Sequence, residues 1–166
     1  MFVISEFNES QEIKEIQESA QPCFQCGICA SSCPVFRVAP EFNPRLAVDE
    51  IVQSGSVGSE GKEWFCAQCL KCDQRCPMGV SLVHILLRIK GISSRHGDAP
   101  RSVQEIMDSI QSSGIVGQIS GRAEKKRKEL GLPDLPRPEI EEIQTILNET
   151  SATRILSQYY EEEGSD

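Results

Sequence analysis

Eight cysteines, arranged as two copies of one pattern, constrain this chain more than any other feature. Each copy reads C-x2-C-x2-C-x3-C-P, and no cysteine lies outside the two copies. The first runs from Cys23 to Pro34 and the second from Cys66 to Pro77, at a constant offset of 43 residues. This spacing is typical of cysteines that hold cubane 4Fe–4S clusters. The pattern therefore predicts two such clusters and, with them, one-electron transfer.

The spacing also predicts which cysteines share a cluster. Three closely spaced thiolates can reach three irons of one cubane, while the fourth iron needs a ligand from outside that loop. In two-cluster ferredoxins the fourth cysteine of each run ligates the other cluster. We therefore expect crossed ligation. Cluster 1 takes Cys23, Cys26, Cys29 and Cys76, and cluster 2 takes Cys66, Cys69, Cys72 and Cys33.

The backbone requirements of such loops are visible in the neighbouring residues. Gly27 can adopt a positive φ and approach a cluster closely. Pro34 and Pro77 each disfavour the helical conformation in the residue before them, which helps to hold Cys33 and Cys76 extended.

Other uses of these cysteines fit the pattern less well. Zinc sites combine two C-x2-C pairs for each metal, and a disulfide scaffold needs an oxidising compartment. His84 and His96 are the only histidines, and cysteines already fill every iron position of two cubanes. We therefore expect neither histidine to be a cluster ligand.

Composition narrows the class of protein further. The 166 residues contain 17 basic and 25 acidic residues, a formal net charge of −8. That charge disfavours general binding to nucleic acid, which needs basic surface. The first 20 residues lack the basic start and apolar run of a signal peptide, and no apolar stretch is long enough to span a membrane. We expect a cytoplasmic protein with no membrane span.

The rest of the chain is predicted to be helical, since no segment alternates polar and apolar residues with period two. Six helices are expected, at residues 8–20, from Asn43-Pro44 to Gly55, and at residues 81–95, 103–110, 123–130 and 139–148. Asn43 is a candidate N-cap, and Gly97 a stop for the strongest helix. The predicted fold class is all-α, an α-helical ferredoxin-like domain around two clusters with flanking helices.

Four segments follow from this pattern of helices and cysteines. Residues 1–20 form an N-terminal helix and residues 21–100 the two-cluster core. Residues 101–158 form a C-terminal helical extension, and residues 159–166 a disordered acidic tail. No Ser–His–Asp set, phosphate loop or dinucleotide-binding motif is present, so we expect no catalytic residue and no flavin in this chain.

Some smaller features have two interpretations each. Trp64 and Phe65 precede Cys66 and could shield a cluster from water, although packing in the core is the preferred interpretation. Met78 is also expected in the core. The basic run Arg122–Lys128 is interpreted as a solvated helix face, with a docking patch for an acidic partner as the alternative.

From about Gln21 to Leu132 the sequence resembles the C subunit of heterodisulfide reductase, a family found in methanogens and, as related subunits, in other anaerobes. The resemblance lies in the two cysteine runs, in the Trp64-Phe65-Cys66 sequence and in the Arg75–Val80 segment. The eight cysteines match the family positions one for one, so the crossed ligand assignment is implied for all eight.

The resemblance implies a place in a larger oxidoreductase. In the family, the flavin-containing, electron-bifurcating A subunit passes electrons to the C subunit. The C subunit passes them to the B subunit, which reduces the coenzyme M–coenzyme B heterodisulfide in methanogenesis. A hydrogenase or formate dehydrogenase supplies the A subunit. This chain would then be a non-catalytic relay subunit with the A and B subunits of heterodisulfide reductase as partners.

Two other interpretations remain open. The same relay could serve a related CCG-type oxidoreductase in sulfur metabolism or in glycolate or glycerol-3-phosphate oxidation. A cluster-based regulatory protein is disfavoured by the acidic charge and by the lack of a helix-turn-helix signal.

Overall fold

The computed structural model describes residues 8–54, 61–117, 119–136, 138–150, 152, 153 and 155. Within these ranges the chain is helical and has no β-strand, which confirms the predicted all-α class. The elements in chain order are α1 Glu9–Ala20, α2 Ile28–Ser32, α3 Pro44–Ser54, the 3₁₀ turn Lys62–Phe65, α4 Lys71–Arg75, α5 Leu82–Arg95, α6 Arg101–Ser113, α7 Gly121–Glu129 and α8 Ile140–Glu149.

The chain divides into two compact units, residues 1–99 and residues 100–166. The first unit contains both cysteine runs together with α1, α3 and α5. Helix α1 packs against α3 and α5, so it is part of the same unit as the cysteines. The sequence boundaries placed after residues 20 and 158 stay predictions.

Asparagine caps begin two of the helices of the first unit. Asn8 accepts a hydrogen bond from the backbone N–H of Gln11 at the start of α1. The Asn43 side chain accepts from the N–H groups of Arg45 and Leu46, at 3.0 and 3.4 Å, and Pro44 occupies the first helical position. Both caps satisfy donors that lack a partner within the helix. The expected end of α3 at Gly55 lies outside the described residues.

Helix α5 is capped from a distance rather than by the residue before it. The Asp73 carboxylate accepts from the N–H of Val83 at 3.0 Å and from the Ser81 hydroxyl at 2.7 Å. Asp73 belongs to α4 within the second cysteine run. The cap therefore joins that run directly to the longest helix, and its negative charge lies where the N-terminal helix dipole favours it.

The hydrophobic core of the first unit lies between α1, α3 and α5. Its buried residues are Ile16, Ala20, Phe42, Val48, Ile51, Val80, Leu82, Ile85, Leu86, Ile89 and Ile92. Six cysteines pack against these buried core residues, namely Cys23, Cys29, Cys33, Cys66, Cys72 and Cys76. The cysteine runs are therefore held on one side by apolar packing, and the helices position them.

Ion pairs tie α1 to α5 at the edge of this core. Arg88 contacts Glu15 at 2.8 Å and Glu12 at 3.5 Å, and Arg95 contacts Glu12 at 2.7 Å. The hydrogen bond from Gln11 is the largest cause that lowers the pKa of Glu15, followed by Arg88. These charged groups orient α1 on α5, while burial of Ile16 and Ala20 supplies the apolar contact.

The second unit has a different character. Its helices α6, α7 and α8 contain no buried residue among those described, and α6 packs against α8. Gly114 ends α6 with φ +70, and a Cβ there would lie 2.5 Å from Pro138 Cγ. Only glycine suits both the backbone and this approach. The side chains of Arg122, Lys125, Lys126 and Lys128 on α7 are exposed, which both interpretations of the basic run require.

Substituting Ile85 by Ala tests the importance of the core. Ile85 is 1% exposed, so the change should leave a cavity and cost about 2–5 kcal/mol. We expect the thermal unfolding midpoint of the cluster-loaded chain, at fixed scan rate without oxygen, to fall by at least about 5 °C. Leu87→Ala, at a 44% exposed position of the same helix, is the control and should change the midpoint much less. Equal losses in both variants would contradict the packing described.

Candidate iron–sulfur centre

The two cysteine runs share one backbone conformation. Gln25 and Gln68 both have positive φ, 62° and 52°, and so do Gly27 and Leu70, 79° and 61°. Each pair is related by the same offset of 43 residues as the cysteines. The left-handed region is unfavourable for residues other than glycine, so three such residues in these loops indicate a constraint that side-chain preference does not supply.

This conformation directs backbone N–H groups toward the cysteines. Alternating left- and right-handed residues form a concave nest of N–H groups, a geometry that recurs at iron–sulfur sites. The N–H groups of Ala30 and Asp73 lie beside Cys29 and Cys72, again one repeat apart, and each lowers the pKa of its thiol. The loops are thus preorganised to stabilise thiolate charge.

Burial acts in the opposite direction and is the larger effect. It raises the pKa of the Cys29 and Cys66 thiols, and it raises the pKa of Cys72 to about 12, with the Asp73 carboxylate as the next cause. These thiols are therefore protonated at neutral pH unless a metal takes the place of the proton. Iron binding would displace the protons, as for other thiolate metal sites.

Each run ends in a short helix followed by an extended cysteine. Helix α2 ends before Cys33, with φ −74 and ψ 120, and α4 ends before Cys76, with φ −71 and ψ 116. These values confirm the extended backbone expected before Pro34 and Pro77. The Cys33 sulfur accepts from the N–H of Phe36 at 3.4 Å, and the Cys76 sulfur accepts from the N–H of Val80 at 3.3 Å.

The packing of α2 against α4 brings the fourth cysteine of the first run to the second run. A largely apolar cavity is lined by Cys33 together with Cys66, Cys69 and Cys72, and Cys66 is close enough to Cys33 and Cys69 for their charges to raise its pKa. In the first run, Cys23 and Cys26 act on Cys29 in the same way. Cys76 packs against the shared core at the end of α4.

The donor chemistry, eight thiols in two four-cysteine runs, suits two iron–sulfur clusters. Within the described ranges no three His, Cys, Asp or Glu side chains converge tightly enough to hold one metal ion. A cubane distributes four thiolates over four irons, so its ligands need not meet at one point. All eight cysteines are free thiols, and none is wholly buried.

Solvent reaches each run at the same point of the repeat. Cys26 and Cys69 are the two exposed cysteines. Apolar side chains flank them, with Phe24 60% exposed beside Cys26 and Leu70 48% exposed beside Cys69. The expectation that Phe65 and Met78 pack in the core is wrong, because they are 45% and 48% exposed. Both lie just outside the second run, where the chain leaves the core.

Both histidines are exposed. His84 lies on α5, and the His96 ring contacts the Glu9 carboxylate at 2.9 Å at the start of α1.

Two buried charged residues near Cys66, Lys90 and Glu63, were not identified from the sequence. Lys90 on α5 is 9% exposed, and its ammonium donates to the Cys66 carbonyl at 3.0 Å and lies 5.4 Å from the centre of the Trp64 ring. Glu63, 5% exposed, accepts from the Ser93 hydroxyl at 2.6 Å. Lysine at an apolar helical position was the available signal, since α5 otherwise buries Ile, Leu and Val there.

Comparison with known protein families identifies a domain that contains the cysteine runs. Residues 19–80 match the family described as the 4Fe-4S dicluster domain, a range that contains all eight cysteines. The chain is thus a helical iron–sulfur protein with a dicluster domain, and its eight cysteines fit two 4Fe–4S clusters.

Over most of its length the chain is also similar to C subunits of heterodisulfide reductases. The C subunit of the ferredoxin:CoB-CoM heterodisulfide reductase of Methanosarcina mazei is 28% identical over 83% of this chain and 92% of its own length. The iron-sulfur C subunit of the CoB–CoM heterodisulfide reductase of Methanopyrus kandleri is 25% identical over 96% of this chain and 86% of its own length. The C subunit of the H(2):CoB-CoM heterodisulfide,ferredoxin reductase of Methanothermobacter thermautotrophicus is 28% identical over 87% of this chain and 82% of its own length.

These similarities confirm the resemblance drawn from the sequence, and they extend into the helices beyond the dicluster domain. In the part of the chain that the structure describes, no helix is long and apolar enough to cross a membrane.

Metal analysis tests the cofactor content directly. Chain purified without oxygen should contain about eight irons and about eight acid-labile sulfides, four of each for every cubane. Inductively coupled plasma analysis and a labile-sulfide assay measure the two numbers. About four irons per chain, or stoichiometric zinc, would contradict the two-cluster assignment.

Proposed function

We propose that this chain is the electron-relay subunit of a heterodisulfide reductase-type complex. Its two 4Fe–4S clusters would carry electrons from the flavin-containing, bifurcating A subunit to the disulfide-reducing B subunit. A hydrogenase or formate dehydrogenase would supply the A subunit. The observation that carries the proposal is the pairing of two equivalent four-cysteine runs in one helical unit with similarity to C subunits along most of the chain.

The ligand sets are the first part of the proposal. Cluster 1 would be held by Cys23, Cys26, Cys29 and Cys76, and cluster 2 by Cys66, Cys69, Cys72 and Cys33. For cluster 2, the shared cavity of the four cysteines supports crossed ligation. For cluster 1, support comes from the repeat, because α2 and α4 pack against one another and end in cysteines of the same conformation.

When bound, each cluster supplies a one-electron redox centre. The chain's own residues hold the thiolates, donate N–H groups toward the sulfurs and exclude water on the side of the core. Crossed ligation would join both cysteine runs to both clusters, so an electron would pass between them without leaving the subunit. The exposed edges at Cys26 and Cys69 would be the points of entry and exit.

The surfaces at these edges suit docking to other subunits. Exposed Phe24 and Ile28 flank Cys26, and exposed Phe65 and Leu70 flank Cys69. Apolar side chains around a redox centre become buried when a partner docks, which excludes water and shortens the distance to the partner's centre. Cysteines that serve as cluster thiolates rather than as disulfides suit a reducing compartment, and we therefore also propose a cytoplasmic location.

Replacing Cys33 by Ala tests crossed ligation. The variant should lose or convert cluster 2, although Cys33 belongs to the first run, because cluster 2 would lack its fourth thiolate. Cys76→Ala is the matched control and should affect cluster 1 instead. Mössbauer and EPR spectra of both variants, compared with Cys26→Ser and Cys69→Ser to assign the signals, measure which cluster changes. Loss of cluster 1 in Cys33→Ala would contradict the crossed arrangement.

Reconstitution tests the relay. The cluster-loaded chain alone should exchange electrons with artificial dyes and should not reduce the coenzyme M–coenzyme B heterodisulfide. Addition of the A and B subunits of a related complex should give heterodisulfide reduction that depends on this chain. The chain lacking its clusters is the control. Heterodisulfide reduction by the isolated chain at the rate of the complex would overturn the relay role. If the A and B subunits gain no activity from the loaded chain, it serves a different oxidoreductase.

A further inference from the structure

The two cysteine runs are equivalent in backbone but not in charge. One repeat back, the counterparts of Lys71, Asp73 and Arg75 in α4 are the uncharged residues Ile28, Ala30 and Ser32 in α2. A buried ammonium also lies below the second run, that of Lys90. The surroundings of the two clusters therefore differ in electrostatics, although their ligands and loops match.

We propose that Lys90 raises the reduction potential of cluster 2 and so favours residence of the transferred electron on that cluster. This inference rests on the proposed ligand sets. Reduction adds one negative charge to a cluster, and a nearby fixed positive charge stabilises the reduced form. The direction of the effect follows from the sign of the charge alone.

The position of the Lys90 ammonium allows its charge to act on cluster 2. Its ammonium donates to the Cys66 carbonyl at 3.0 Å, so it is fixed against the backbone of a cluster 2 ligand. The Trp64 ring lies 5.4 Å away and favours the cation through its π face. At 9% exposure little solvent separates the charge from the cluster, and salt screens a buried charge much less than an exposed one. Lys90 also lowers the pKa of Cys66, although burial is the larger influence on that thiol and raises its pKa.

Other charged groups also lie around cluster 2, and they are unchanged in the Lys90 variants, so a comparison of those variants isolates the charge at residue 90. The Asp73 carboxylate, 3.4 Å from the Cys72 sulfur, opposes Lys90, and it accepts hydrogen bonds from the Val83 N–H and the Ser81 hydroxyl. Glu63 is buried and faces Ser93. Lys71 and Arg75 are exposed, so solvent screens them.

Near cluster 1 the corresponding cation is Arg45, and solvent screens its charge more than that of Lys90. Arg45 donates to the Gln25 side chain at 3.0 Å, and it is exposed. The charged groups that raise the pKa of Cys29 are the neighbouring Cys23 and Cys26. Lys90 is therefore the buried cation that distinguishes cluster 2 from cluster 1 among the described contacts of the cysteines.

Redox titration of the cluster-loaded chain, followed by EPR without oxygen, tests the inference. In Lys90→Met and Lys90→Gln the midpoint potential of cluster 2 should fall. The ratio of reduced to oxidised cluster 2 at fixed potential should drop on the order of tenfold, which corresponds to 59 mV for a one-electron couple. Lys90→Gln keeps a hydrogen-bond donor, so it carries the comparison if Lys90→Met fails to load its clusters. The Cys69→Ser variant identifies the cluster 2 signal.

Two controls separate charge from structure. Lys90→Arg keeps the charge and should keep the potential of cluster 2, and Lys14→Met makes the same substitution at an exposed position of α1 and should change neither cluster. An unchanged cluster 2 midpoint in Lys90→Met or, where that variant does not load, in Lys90→Gln would overturn the inference, as would an equal fall in cluster 1. A wild-type chain that holds no second cluster would instead overturn the proposed function.

Discussion

The contact between α2 and α4 is the constraint on which the arrangement of the two cysteine runs depends. Each of these helices is five residues long, follows a left-handed residue and ends at a cysteine that a proline holds extended. Helices this short are not stable alone, and their positions are fixed by what they pack against. Helices α1, α3 and α5 provide that support. Six of the eight cysteines pack against the core between these helices. The apolar packing of the helices therefore also fixes the positions of those thiols.

This arrangement gives each of the two cysteine runs its own solvent-exposed edge. The repeat places the exposed cysteine of each run, Cys26 and Cys69, at equivalent positions, while the remaining six face the core. The apolar side chains beside those two cysteines are exposed, and in the proposed complex partner subunits would cover them. Similarity to the C subunits of heterodisulfide reductases supports such an assembly. In the proposed relay, the unequal charges around the two runs would make the two clusters differ in potential.

Much of the fold could be predicted because local signals agree with the tertiary structure. Asn43 and Pro44 begin α3 as expected, and α5 covers the predicted segment and is followed by Gly97 with φ 82. Helices α6, α7 and α8 differ from their predicted bounds by a few residues, since their ends depend on exposed residues. The short helices α2 and α4 were missed, because five residues that include one cysteine carry no periodic pattern.

The wrong predictions share a physical cause. Phe65 and Met78 are large and apolar, so composition alone places them inside, but they adjoin a run whose outer edge faces solvent. Lys90 is the opposite case, because its charge predicts exposure but it lies on the buried face of α5. The Cys66 carbonyl and the Trp64 ring compensate the cost of burying its ammonium.

The proximity of two clusters that exchange electrons within one subunit is the central claim. The EPR spectrum of the fully reduced chain tests it most directly, because two paramagnetic centres near each other broaden and split each other's signals. We expect two unpaired spins per chain with a spectrum shaped by their interaction, which simplifies to that of one centre when the other is removed. One spin per chain, or two spins without interaction, would contradict the claim.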